Sequence, residues 1–128
     1  PNVEIFKRQI EGFCTLLMEA GPDQDQVRNI DTMLSVGELF TMIVYGHLVL
    51  EMALIDETDR DLLNQVFDVF VRDFSAYATE LHGKPGVSDA QRRLIRKLIA
   101  APAADPEQFQ RLWTTQVHAL TGQYEMAD

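Results

Sequence analysis

The chain has 128 residues, 46% of them apolar and 24% charged, and a formal net charge of −9. That is one domain's length and an ordinary globular composition, which excludes a disordered chain. A nucleic-acid surface is excluded as well, because neutralising phosphates takes clustered Lys and Arg. The single cysteine, Cys14, rules out an intrachain disulfide and points to a reducing, cytoplasmic setting.

Helical periodicity runs from end to end with no sustained alternation of period two, so the expected fold is all-α: an antiparallel helical bundle of four to five helices with one long central helix. The first helix is expected over residues 3–20, with Phe6, Ile10, Phe13, Leu17 and Ala20 on one stripe, stopped by Gly21-Pro22. Its opening, "PNVEIFKRQIEGF", mixes charge into an amphipathic pattern and has no short apolar core of a signal peptide. A second helix of roughly 30 residues is expected to start among the acids of "DQDQ" and run to Ile55, where "DETD" breaks it. The third, over 59–82, has the cleanest pattern. Phe67, Phe70, Phe74, Ala78 and Leu81 recur at three- and four-residue spacing, and Asp68, Arg72, Ser75 and Thr79 lie opposite. Ser88 and Gln91 form a capping box for a short fourth helix. Asp105, Pro106 and Gln108 open a fifth, whose stripe includes Phe109, Leu112, Trp113, Leu120 and Tyr124. No linker divides residues 1–128. A chain that starts at Pro1 and carries little chemistry is expected to be a single-domain fragment from the C-terminus of a longer protein.

The most apolar stretch is "GELFTMIVYGHLVLEMA", residues 37–53. A membrane span needs about 20 apolar residues. Here the run from Leu39 to Leu50 is shorter, is bracketed by Glu38 and Glu51, and lacks a flanking Lys or Arg, so no span is expected. On a helical wheel Arg28, Asp31, Ser35 and Glu38 share one face, but beyond residue 39 apolar side chains nearly surround the axis. A helix apolar all round must be covered all round. Either neighbours in the bundle seal it, or part of it is a protein interface, with Met42, Val44 and Leu48 as the candidate residues. Gly37 and Gly46 then mark where another helix comes close.

Few residues suggest chemistry. His47 and Glu51 are four apart, but a metal site needs three or four converging ligands, so a hydrogen-bonded histidine is expected. His82 is placed to cap a helix C-terminus, and His118 has no evident partner. Cys14 is expected as a buried, inert thiol, since no nearby base would activate it. Lys84, Arg92, Arg93, Arg96 and Lys97 form a basic strip that offers an anion patch for a nucleotide or coenzyme A. Against that, they suit the C-terminal half of a helix or the acidic second helix.

Three stretches together, "FTMIVYGHLVLEMA" (40–53), "VFDVFVRDFSAYATELHGKP" (66–85) and "VHALTGQYEM" (117–126), resemble the C-terminal helical region of bacterial, actinobacterial-type acyl-CoA dehydrogenase-like flavoproteins. The resemblance implies an all-helical region, FAD and acyl-CoA thioesters in the parent enzyme, and assembly partly through helical domains. It implies no cofactor within this segment. The family's catalytic carboxylate lies near a Tyr-Glu-Gly-Thr-like segment, whereas Tyr124-Glu125 is followed here by Met126, so that role does not carry over. The expected function is thus an accessory or assembly domain that packs against its parent chain or a second copy and is not catalytic alone. The alternative is a stand-alone helical ligand-binding or regulatory domain.

Overall fold

Helix is the only regular structure among the residues that the computed structural model describes, 1–117. Six α-helices follow in order: α1 Asn2–Ala20, α2 Gln24–Arg28, α3 Ile30–Ile55, α4 Arg60–His82, α5 Asp89–Arg96 and α6 Pro106–Leu112, with a π-helical turn over Trp113–Val117. The all-α bundle expected from periodicity is what forms. His118, Leu120, Tyr124 and Glu125 lie outside the described residues.

Helix α4 packs against α1, α3, α5 and α6. The reason is its aromatic row: Phe67, Phe74 and Ala78 lose all contact with solvent, and Phe70 and Leu81 nearly all. Phe6 of α1 enters this row edge-on, its ring centroid 5.4 Å from Phe67 and 5.9 Å from Phe74. Such pairs add about 0.5–1.5 kcal/mol each beyond the apolar area they bury. Ile95 of α5 and Leu98 just after it close the other side of the core.

The buried stripe of α1 is turned from its expected position. Asn2, Phe6, Gln9, Phe13 and Leu16 face inward, while Leu17 is exposed. Two amides displace apolar residues because they satisfy backbone groups that no helix pairs. Gln9 Nε2 donates to the Leu98 carbonyl at 2.9 Å and to the Ser75 hydroxyl at 3.0 Å. The Ser75 hydroxyl in turn donates to the Ala100 carbonyl and accepts from its N–H, both at 2.9 Å. Asn2 Oδ1 accepts from the Ala103 N–H at 2.7 Å, and the Asn2 N–H donates to Asn64 Oδ1 at 2.8 Å. The segment after α5 is thereby tied down by buried side chains, and Ser75, expected on the outer face of α4, belongs to the core.

The expected second helix is two helices. Asn29 takes an extended backbone, ends α2, and caps α3 by accepting from the Thr32 N–H. What bends the chain there is Gln26, whose Nε2 donates to the Gly86 carbonyl at 2.7 Å and pairs with the Gln91 amide. A straight helix through residue 29 would pull Gln26 away from both. Elsewhere the expected ends hold: the Ser88–Gln91 capping box forms, Asp105 caps α6 with Pro106 at its first turn, and the break after Ile55 has Glu57 in the left-handed region at φ 51°.

Helices α1 and α3 flank α4 and meet where Phe6 lies against Gly46. A β-carbon at residue 46 would stand 2.5 Å from the Phe6 ring. Gly46→Ala is therefore expected to destabilise the protein by up to about 2 kcal/mol, an overpacking cost of about 1–3 kcal/mol offset by a gain of about 1 kcal/mol in helix propensity. Urea denaturation followed by circular dichroism measures this, and an unchanged midpoint would show that the ring moves freely.

At the other end, Arg111 ties α6 to α4 by donating to both Asp61 oxygens at 2.8 and 3.0 Å. Those hydrogen bonds hold the Asp61 carboxyl below its usual value of 3.8, against a smaller opposing effect of burial. A carboxyl depressed on folding contributes stability above its unfolded value and loses it as pH falls through the folded one. The melting-temperature difference between the protein and Asp61→Asn should thus be present at pH 6 and vanish in acid below the folded-state value. A difference that stays constant across that range would contradict the pairing.

Candidate interaction surface

Helix α3 is where sequence and burial diverge. It has 26 residues and is long and apolar enough, by length and composition, to cross a membrane, yet only 17% of its most apolar 18-residue stretch is buried. Its inward side is made of Thr32, Ser35, Leu39 and Gly46. Met42, Ile43, Val49 and Leu50 lean partly against the same core. Small side chains face the bundle, so α3 seats close to its neighbours. Large ones are left on the far side.

That far side carries Ile30, Leu34, Val44, Leu48, Met52 and Ile55, all exposed, with Ile55 at 80%, Leu48 at 52% and Val44 at 44%. Phe40 and Tyr45 extend it on either flank. Of the three interface residues read from the sequence, Val44 and Leu48 lie on this face, while Met42 is half-buried and turned toward the core. The face grouping Arg28, Asp31, Ser35 and Glu38 does not hold together, since Ser35 is buried and the others are not. Gly46 marks a close approach, but of this chain's own Phe6 rather than of a partner. Gly37 does not within this chain, for a β-carbon there would meet nothing within 4 Å.

Thr41 interrupts the apolar face, but its hydroxyl is taken up by donating back to the Gly37 carbonyl at 2.8 Å. His47 Nε2 and Glu51 Oε1 pair at 3.2 Å on the solvent side. Among the described residues no three His, Cys, Asp or Glu side chains gather as metal ligands.

The basic strip does not converge. Lys84 reaches across to Asp31 at the start of α3, at 2.8 Å, and the Asp31 carboxylate holds its ammonium above the ordinary lysine range. Arg92 donates to the carbonyls of His82 and Lys84, both at 3.2 Å, so it takes the capping role expected of His82. Arg96 donates to His82 Nε2 at 3.1 Å. Arg93 and Lys97 are exposed. Cys14, expected inside, is exposed, because Gln9, Phe13 and Leu16 define the buried side of α1 and residue 14 falls off it.

Space remains between the helices in several places, two of which bear on ligand binding. A small apolar space of about 20 Å³ between Phe13, Leu16, Val36, Leu81 and Ile95 has room for one water. An open cleft of about 750 Å³ separates the ends of α1, α3 and α4, lined by Val3, Lys7, His47, Leu50, Leu54 and Leu63. Neither offers the glycine-rich turn or convergent cations that a flavin's diphosphate needs.

The chain matches no protein-family model, no curated protein and no solved structure.

With Lys84 and Arg92 already paired, inorganic phosphate titrated to 20-fold over the protein should shift the melting temperature no more than sodium chloride of equal ionic strength. A saturable phosphate-specific rise would restore the strip as an anion site.

Proposed function

We propose that this domain is an assembly module whose working surface is the outward face of α3. The supporting observation is that the most apolar helix of the chain turns its large side chains away from its own core. Monomeric proteins rarely expose contiguous apolar patches beyond a few hundred Å², and larger ones mark contact sites. The polar atoms on this face suit a protein partner better than a bilayer. Glu38, Glu51 and His47 punctuate it, and no Lys or Arg of α3 flanks it for anionic headgroups. Covering the face by protein removes apolar side chains from water at about 25 cal/mol per Å².

In keeping with the sequence resemblance, we place the module in the helical C-terminal part of an acyl-CoA dehydrogenase-like flavoprotein acting in a reducing, cytoplasmic compartment. There it packs and assembles; the flavin and thioester chemistry belong to the rest of the parent chain. A ligand-binding role is the second reading, favoured by the open cleft beside His47 and Leu54.

The double variant Val44→Asp/Leu48→Asp tests the first reading. Both side chains are exposed, so the fold should survive with its stability changed by less than about 1 kcal/mol. The dilute parent should bind 8-anilinonaphthalene sulfonate strongly and the variant weakly. Equal dye binding by the two would contradict the reading, and sedimentation of the parent with phosphatidylglycerol vesicles would move the surface to a membrane.

A further inference from the structure

The outward face of α3 has a register. From Ile30 the exposed positions step by four and three in alternation: Leu34, Gly37, Thr41, Val44, Leu48, then Glu51 and Ile55. This is the seven-residue repeat of a coiled-coil seam, and it runs the whole length of the helix. Its large apolar positions are Ile30, Leu34, Val44, Leu48 and Ile55, with Gly37, Thr41 and Glu51 between them. Within the described residues no helix packs along it.

Resting on the reading of α3 as a docking surface, we infer that its occupant is a second copy of this chain, with the two α3 helices antiparallel about a two-fold axis between residues 42 and 43. Each seam position then faces the one whose number makes a sum of 85. Ile30 meets Ile55 of the second copy, and Thr41 meets Val44. Leu48 meets Gly37, and that glycine is the seam position with open space around it. Bulk is thus matched by a hole, twice, by symmetry.

Charge decides the direction. Pairing in parallel would stack Glu51 on Glu51 of the second copy inside the seam and repeat that carboxylate clash without relief. The antiparallel pairing sets Glu51 against Leu34 near the rim. It also brings the Tyr45 hydroxyl alongside Glu38, and the His47 ring alongside Phe40. No two acids of α3 then oppose each other. The axis falls at the midpoint of Ile30–Ile55, so both helices overlap over all 26 residues, about 39 Å. Along the seam and its flanks the large apolar side chains are 44–80% exposed, and a standard stable interface covers roughly 800 Å² of surface per partner.

Cysteine pairing tests the register on a Cys14→Ser background. Leu34→Cys alone and Glu51→Cys alone should each stay monomeric on non-reducing gels after mild oxidation, because each is about 25 Å from its own mate. Their equimolar mixture should give a covalent dimer. Cross-linking of Leu34→Cys with itself would overturn the antiparallel arrangement. Sedimentation velocity of the unmodified chain should give twice 14.6 kDa. In that assay Leu48→Lys should weaken the dimer by about 100-fold or more, since two unpaired charges become buried. Adding Gly37→Glu to it should restore association, the two new charges facing each other across the seam. A chain that stays monomeric at every concentration yet binds the dye overturns self-association and leaves the docking reading standing. A monomer that does not bind the dye overturns both.

Discussion

The Phe6 ring lies 2.5 Å from where a β-carbon of residue 46 would be, so α1 and α3, both packed on α4, can approach there only because residue 46 is glycine. To come this near, α3 must present glycine and small polar residues to the bundle: Thr32, Ser35 and Gly46, with Leu39 as the one large residue sunk entirely. Its remaining bulk has to go elsewhere. A helix with so apolar a composition and so lean an inner face is left with an oily outer one, and the question of function becomes what covers it.

The interior is held by a division of labour. Aromatic rings from α1 and α4 supply most of the apolar burial, while buried amides fix the segments that are not helical. Gln26 and Gln91 pair across the bundle and bind the Gly86 and Ala20 carbonyls, joining the two tight corners of the fold. Asn2 and Gln9 do the same for the stretch between α5 and α6. Leaving such groups buried without partners costs about 1–3 kcal/mol each, so these amides specify where the loops lie as much as they add stability. The charged residues that drew attention in the sequence serve the same end. Lys84 and Arg92 fasten the α4–α5 corner, and their partners are this chain's own acids and carbonyls.

Helix ends were legible in the sequence because capping is local chemistry: Gly21-Pro22, Ser88 with Gln91, and Asp105 with Pro106 act within a turn of themselves. The aromatic stripe of α4 was legible because it repeats. Tertiary partners were not. Asn29 reads as a tolerable helix residue until Gln26 is seen to reach Gly86, 60 residues away. Ser75 read as outer face, and Asn2 and Gln9 fell off the apolar stripe of α1, because their compensating bonds come from distant residues. The wheel of α3 showed apolar residues all round, so hydrophobicity alone did not say which side the bundle takes. Gly46 and Ser35, small on one side, were the available signal. Met42 was assigned outward with Val44 and Leu48 although it lies on the Ser35–Gly46 side.

An assembly role requires the outward face of α3 to be covered in the associated protein. Carbene footprinting with residue-level mass spectrometry compares its side chains directly with a built-in control. Met52 is 62% exposed on that face, and Met18 is 87% exposed on α1, away from the seam. Over a dilution series the predicted result is that labelling of Met52 and Tyr45 is suppressed at high concentration and rises on dilution, while Met18 is labelled throughout. Met52 labelled in constant proportion to Met18 at every concentration would contradict it.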